Sequence, residues 1–115
     1  MSEKIKTQNP INLADVNATE GPDNIFRTTL AFNPDGMLCH FEMKKGASIP
    51  LHNHVHSQIG YVVSGKLDFK TEDGSFVAKT GDSYVFESHQ KHGADVIEDS
   101  IVIEVFLPVR EEYKP

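Results

Sequence analysis

From residue 26 onward, turn chemistry recurs too often along this chain for a long helix to fit between the turns. The segment 26–32 runs into Asn33-Pro34-Asp35-Gly36, a strong turn sequence, and 37–43 returns. Gly46 opens a loop before a short extended piece at 50–54. Segment 58–63 then meets Ser64-Gly65, 66–71 meets Glu72-Asp73-Gly74, and 75–79 meets Thr80-Gly81. Segment 83–86 enters a polar loop, and 96–97 and 100–106 close the series, with Pro108 stopping the last strand. No stretch repeats its apolar residues at helical spacing. The pattern predicts an all-β sandwich or small barrel over 25–115, preceded by a polar arm over 1–24. Pro10 and Gly21-Pro22 break any regular pattern in that arm, which is expected to become ordered only by lying on the domain or on a second subunit.

With 115 residues there is enough chain for one such domain and too little for two. No apolar run is long enough to span a bilayer, and the start lacks the apolar core of a signal peptide, which points to a cytoplasmic protein. The Asn17-Ala18-Thr19 sequon is then read as chance. A net charge of -6 argues against a nucleic-acid or anionic-membrane partner. The single cysteine, Cys39, excludes an intrachain disulfide and any multi-thiolate zinc site.

A plain barrel explains the strands but not the histidines. There are six, and five of them lie between positions 52 and 92. His52, His54 and His56 stand at spacing two, and alternate side chains of a strand share a face, so His52 and His54 can point into one cavity. Imidazole is the commonest transition-metal ligand. An extended chain from 52 to 58 would hold its ends about 20 Å apart, at about 3.3 Å per residue. Metal–ligand bonds are only about 2.0–2.2 Å long. For Gln58 to join the histidines, the chain must therefore reverse over 55–57, which puts His56 on the turn and away from the ion. His92 follows strand 83–86 after a short polar loop and can be brought back against the first two histidines. A site of His52, His54, Gln58 and His92 would hold one divalent transition metal with positions open for water or substrate. All four ligands are neutral, so the ion would keep its charge and polarise a bound oxygen or carboxylate. Zn, Ni, Mn and Fe are not distinguished by such a ligand set. His40, His56 and His89 are read as ordinary surface or core residues, Tyr61 as packing, and Lys44-Lys45 as a solvated turn.

The spacing resembles a known pattern. Gly46-x5-His52-x-His54-x3-Gln58-x6-Gly65 resembles the first cupin motif, with glutamine where many members carry glutamate. Gly81-x5-Glu87-x-His89-x2-His92 resembles the second. The resemblance implies a jelly-roll β-barrel with a metal inside it, held by His52, His54, Gln58 and His92. The second motif departs from the family at Glu87, His89 and Val96, where proline, glycine and asparagine are usual, which implies a looser loop before His92.

A narrower resemblance covers more of the chain. The segment 50–62, followed by Ile103-Glu104-Val105-Phe106-Leu107-Pro108-Val109-Arg110-Glu111-Glu112-Tyr113, is similar to the KdgF-type pectin-degradation cupins. Those proteins linearise 4,5-unsaturated monouronates from pectin or alginate to the open-chain keto acid. The resemblance implies an acidic sugar substrate and roles for Glu104, Phe106 and Arg110, with Glu104 one methylene longer than the family's aspartate. Strand alternation puts Val102, Glu104 and Phe106 on one face. If that face meets the cavity, Glu104 is a partly buried acid near a cation and a candidate general acid/base. If not, it faces solvent or a subunit interface. Phe106 is core or a platform for substrate. Arg110 is a bidentate partner for a substrate carboxylate or a surface partner of Glu111 or Glu112. A homodimer is expected, because an open barrel leaves sheet edges to cover and the family commonly dimerises. Two other readings fit the same scaffold: an iron dioxygenase, and a non-catalytic ligand-binding or sensor protein.

Overall fold

A computed structural model describes residues 9–115. Eight strands carry nearly all the regular structure: β1 (Thr19–Glu20), β2 (Ile25–Asn33), β3 (Gly36–Met43), β4 (Ser48–His52), β5 (Ser57–Thr71), β6 (Gly74–Lys79), β7 (Ser83–Phe86) and β8 (His92–Leu107). Every pairing is antiparallel. Single 3-10 turns sit at Leu13–Asp15 and Glu111–Tyr113, and no helix among the described residues is long and apolar enough to cross a membrane.

Two long strands organise the fold. The first half of β5 pairs with β7 and the second half with β6, while β8 runs alongside from Ser57↔Leu107 to Thr71↔His92. At its other edge β8 pairs first with β4 and then with β3. Each long strand thus passes from one layer of strands to the other, and the layers enclose a jelly-roll interior between them. The all-β expectation holds.

Ser64-Gly65 is not the turn its composition predicts. The chain continues through it as one strand with a bulge, as the register shifts between Val62 and Leu67 record. Gly65 has φ +107°, and the Lys66 amide donates to the Ser100 hydroxyl at 3.0 Å. The extra residue switches inward parity from Gln58, Gly60 and Val62 to Leu67 and Phe69. Likewise 96–97 and 100–106 belong to one strand, β8. Tyr61, expected to pack, is 48% exposed with Ile59 and Val63 beside it, because the even positions take the inner face.

The described part of the arm lies on the domain itself. β1 adds to the edge of β2 through Thr19↔Arg27, and Gly21 and Pro22 reach the rim of the interior cavity. Residues 1–8 lie outside the described residues. Buried Phe69, Tyr84 and Phe86, with the exposed Phe76 beside them, form an aromatic cluster with centroid spacings of 4.4 to 6.2 Å. Burying each enclosed ring contributes about 2 kcal/mol, and Phe86 of the cluster is the surface against which His92 rests.

Candidate metal centre

His52 ends β4, His92 begins β8, and the two are register partners. His54 lies in the loop after β4 and not on the strand, so alternation on a strand is not what brings it to His52. The loop reverses the chain, as the reach argument requires, and returns it as β5 with Gln58 on the inner face. One nitrogen from each of His52, His54 and His92 lies within 4.8 Å of the others. Phe86 stacks on His92 at 4.5 Å and 7°, which fixes that imidazole's plane.

Backbone carbonyls set the tautomers. His52 Nδ1 donates to the Pro50 carbonyl at 3.0 Å, His54 Nδ1 to His56 at 2.8 Å, and His92 Nδ1 to Gln90 at 2.8 Å. A carbonyl only accepts, so each Nδ1 carries the proton and each Nε2 turns a lone pair inward. Gln58 is oriented too. Its Nε2 donates to Glu104 Oε2 at 2.9 Å, which leaves Oε1 at 3.0 Å from His54 Nε2 and 3.1 Å from His92 Nε2. Acceptors therefore face acceptors with no proton between them, an arrangement that a cation relieves. Burial holds His54 down to about 4 and lowers His92 as well, with the Arg110 charge adding to both shifts. Both rings are thereby kept in the neutral form that ligates. The donor set fits a divalent transition metal.

His56 stays outside this cluster and contributes its carbonyl, while its own Nδ1 is buried without a partner. His40 sits on β3 at the outer register position opposite Ile103, and His89 is exposed. The loop before His92 is not loose. The His89 amide donates to the His54 carbonyl at 2.7 Å, Ser88 Oγ to the Val55 carbonyl at 2.6 Å, and the Glu87 amide to Gln90 Oε1 at 2.9 Å. The first two bonds tie it to the other histidine loop, and the third closes it on itself. His89 adopts φ +65°, which accounts for the glycine the family pattern has there.

Next to the cluster is a cavity of about 290 Å³ whose wall includes Glu104, Phe106, Arg110 and Tyr113. Val102, Glu104 and Phe106 all point inward, at 0%, 5% and 1% exposure. Glu104 accepts from Gln58 and, at 2.6 Å, from the Tyr84 hydroxyl. Burial raises its pKa above the ordinary carboxylate value, against the lowering effect of those two bonds and Arg110. Of the alternatives for Arg110, the structure shows the pair with Glu112, on a side chain that also reaches the cavity wall. Its guanidinium lies 4.0 Å from the Tyr113 ring and 4.9 Å from the Phe106 ring at the cavity, while Nη2 pairs with Glu112 at 3.0 Å. Glu111 pairs with Lys114 instead.

A model of the cupin domain matches residues 39–107. The chain belongs to the cupin family. The pectin degradation protein KdgF of Dickeya dadantii is 32% identical over 93 residues, covering 79% of this chain and 84% of that protein. The structure of KdgF from Halomonas sp. superposes with a TM-score of 0.85 at 32% identity, over 90% of this chain and 98% of its own. An RmlC-like cupin from Shewanella frigidimarina gives 0.85 at 30% identity, over 90% and 93%.

Two residues of this cupin's site escape sequence reasoning, Tyr84 behind Glu104 and Tyr113 at the cavity wall. Tyr84 shares inward parity with Phe86 on β7, a signal present but indistinguishable from core packing. Tyr113 ends the tail that resembles the KdgF-type proteins, but nothing local places it at the cavity. It is fixed by tertiary contacts, its carbonyl accepting from Thr29 Oγ1 at 2.6 Å and its ring lying 4.0 Å from the Arg27 guanidinium.

Proposed function

We propose that this cupin is a metal-dependent enzyme that ketonises a 4,5-unsaturated monouronate, the reaction its likeness to KdgF supports. One observation carries the reading. The Gln58 amide joins the two halves of a reactive site, with its oxygen on the histidine cluster and its nitrogen on Glu104. A group able to move a proton and a place for a cation thus share one cavity with an arginine.

The reaction is an isomerisation. The C1 hydroxyl loses its proton and the ring C1–O5 bond opens to give an aldehyde at C1, and the C4–C5 enolate left on O5 takes one proton at C4 to become the C5 ketone. His52, His54, Gln58 and His92 would hold the divalent cation, which supplies positive charge where negative charge develops on substrate oxygen. Arg110 binds the carboxylate, its guanidinium fixed by Tyr113 and Phe106. Phe106 gives the sugar ring an apolar platform. Glu104, held above the usual carboxylate range by burial, moves the proton at C4.

The same reading includes a homodimer. The row Val85–Ile59–Val105–Leu38 runs across four strands on the outer face, with Tyr61 and Ile103 beside it. Such a face is apolar enough to favour cover by a second copy. A single buried thiol, Cys39, fits a reducing compartment such as the cytoplasm.

The test is to load the purified protein in turn with Zn, Ni, Mn and Fe(II) and add a 4,5-unsaturated monouronate. Loss of the ultraviolet absorbance of the conjugated double bond, with a ketone carbon appearing by NMR and no oxygen uptake, supports the reading. Oxygen consumption, or binding without conversion, rejects it. Light scattering at the mass of one chain rejects the dimer.

A further inference from the structure

Glu104 receives two hydrogen bonds among the described residues, and both fall on one oxygen. Tyr84 Oη donates to Oε2 at 2.6 Å and Gln58 Nε2 donates to the same atom at 2.9 Å. Oε1 has no donor among the described residues, and the side chain lines the cavity. One oxygen is therefore anchored and the other is available for exchange with a substrate.

The anchor depends on a glycine between the two residues. Gly60 on β5 is the register partner of Tyr84 on β7 at one edge and of Glu104 on β8 at the other. The tyrosine ring lies over Gly60 to reach the carboxylate two strands away, and a Cβ on Gly60 would fall within that ring. Phe69 and Phe86 flank the ring at 4.4 and 5.6 Å, which confines it to this orientation.

We propose that Tyr84, reaching across Gly60, is a positioning residue that pins Glu104 Oε2 and turns Oε1 to the cavity. Gly60 is the residue that makes the reach possible. Burial raises the Tyr84 pKa well above its ordinary value, so the hydroxyl keeps its proton and stays the donor at neutral pH. A hydroxyl that merely satisfied a buried carboxylate would affect stability and leave turnover alone. One that orients the reacting oxygen affects the chemical step, because misplacing a proton-transferring group is costly even when binding is intact.

The kinetic readout rests on the uronate reading, and the structural readout does not. Tyr84→Phe keeps the ring and removes only the hydroxyl. It is expected to lower kcat about tenfold or more while KM moves less than about threefold. Metal content should stay at the wild-type level. In a Glu104→Gln background the same substitution should cost nothing further, since Tyr84 acts only through that carboxylate. Gly60→Ala should lower kcat in the same direction by displacing the ring. A Tyr84→Phe protein with wild-type kcat, or losses that multiply in the double variant, overturns the proposal. Urea unfolding of the metal-free single and double variants supplies the second readout, where coupling between Tyr84 and Glu104 is expected and strict additivity rejects the anchor. Should the wild type leave the uronate unchanged, the reaction assignment fails, and the unfolding cycle alone sustains or overturns the anchor.

Discussion

Gln58 donates from Nε2 to Glu104 Oε2 at 2.9 Å, and this one bond decides which end of the amide meets the histidines. A carboxylate accepts and cannot donate, so the nitrogen must turn to Glu104 and the oxygen to His54 and His92. A glutamate at 58 would instead set two carboxylates against each other in a buried wall, where they would share a proton.

Replacing Gln58 therefore separates metal binding from turnover. Gln58→Glu is expected to retain metal, because a carboxylate oxygen is a good ligand, yet to slow turnover at neutral pH as Glu104 loses its donor. Gln58→Ala and His92→Ala are expected to lose metal, with activity falling in proportion. Elemental analysis of the purified variants, read beside kcat, checks both. A metal-replete His92→Ala protein would contradict the ligand assignment.

Glu104→Gln should keep its metal and lose about 100-fold in kcat, the lower range for removing a general acid/base. The replacement amide still accepts from Tyr84 and Gln58, so folding should survive. An unchanged rate removes Glu104 from the chemistry.

The metal-free protein should respond to pH through groups of opposite sign, the lowered His54 and His92 on one side and the raised Glu104 on the other. His54 is held down from 6.5 to about 4, so the folded state binds fewer protons over that window. Stability from this source is full above 6.5 and is lost as pH falls toward 4. Glu104 is raised above 4.5, so its contribution is full below 4.5 and is lost as pH rises through the folded value. Urea midpoints measured in chelator across this range should show Glu104→Gln gaining on wild type as pH increases. The same variant should lose the Glu104 contribution and keep the loss of stability toward low pH to which His54 and His92 contribute.

Arg110→Lys tests the carboxylate contact. A lysine keeps the charge but loses the fork and the stacking on Tyr113 and Phe106. KM should rise about tenfold, equivalent to about 1.4 kcal/mol, with a smaller change in kcat. A KM that does not move places the substrate carboxylate elsewhere.

Gly65→Ala probes the bulge. Its φ of +107° is strained for any other residue, and an added Cβ would meet the Ser100 hydroxyl and lie 2.6 Å from the Asp99 carbonyl. A loss of about 2 kcal/mol or more is expected from overpacking and backbone strain together. Urea unfolding measures it. Gly74→Ala, with a positive φ but open space around the Cβ, should cost less.

Much of this was legible in the sequence. Turn chemistry located most strand boundaries because glycine, proline and asparagine act through their own backbones. The alternation around Glu104 placed it with Val102 and Phe106 because a strand has period two, and burial agrees at all three. The motif spacing singled out His52, His54, Gln58 and His92 together. Ser64-Gly65 was misread because the same dipeptide serves a turn or a bulge, and the choice rests on Ser100, 35 residues away in sequence.

By itself, then, the sequence determined which residues are chemically equipped and which strands carry them inward, since both follow from side-chain type and local period. Tertiary structure alone decided how they face one another. The Gln58 amide is turned by Glu104, the imidazole tautomers are set by carbonyls in folded loops, and Tyr84 reaches Glu104 only because β5 places Gly60 between them. Those relationships join residues remote in sequence. Hydrogen-bond direction and side-chain clearance exist only once β5, β7 and β8 lie side by side.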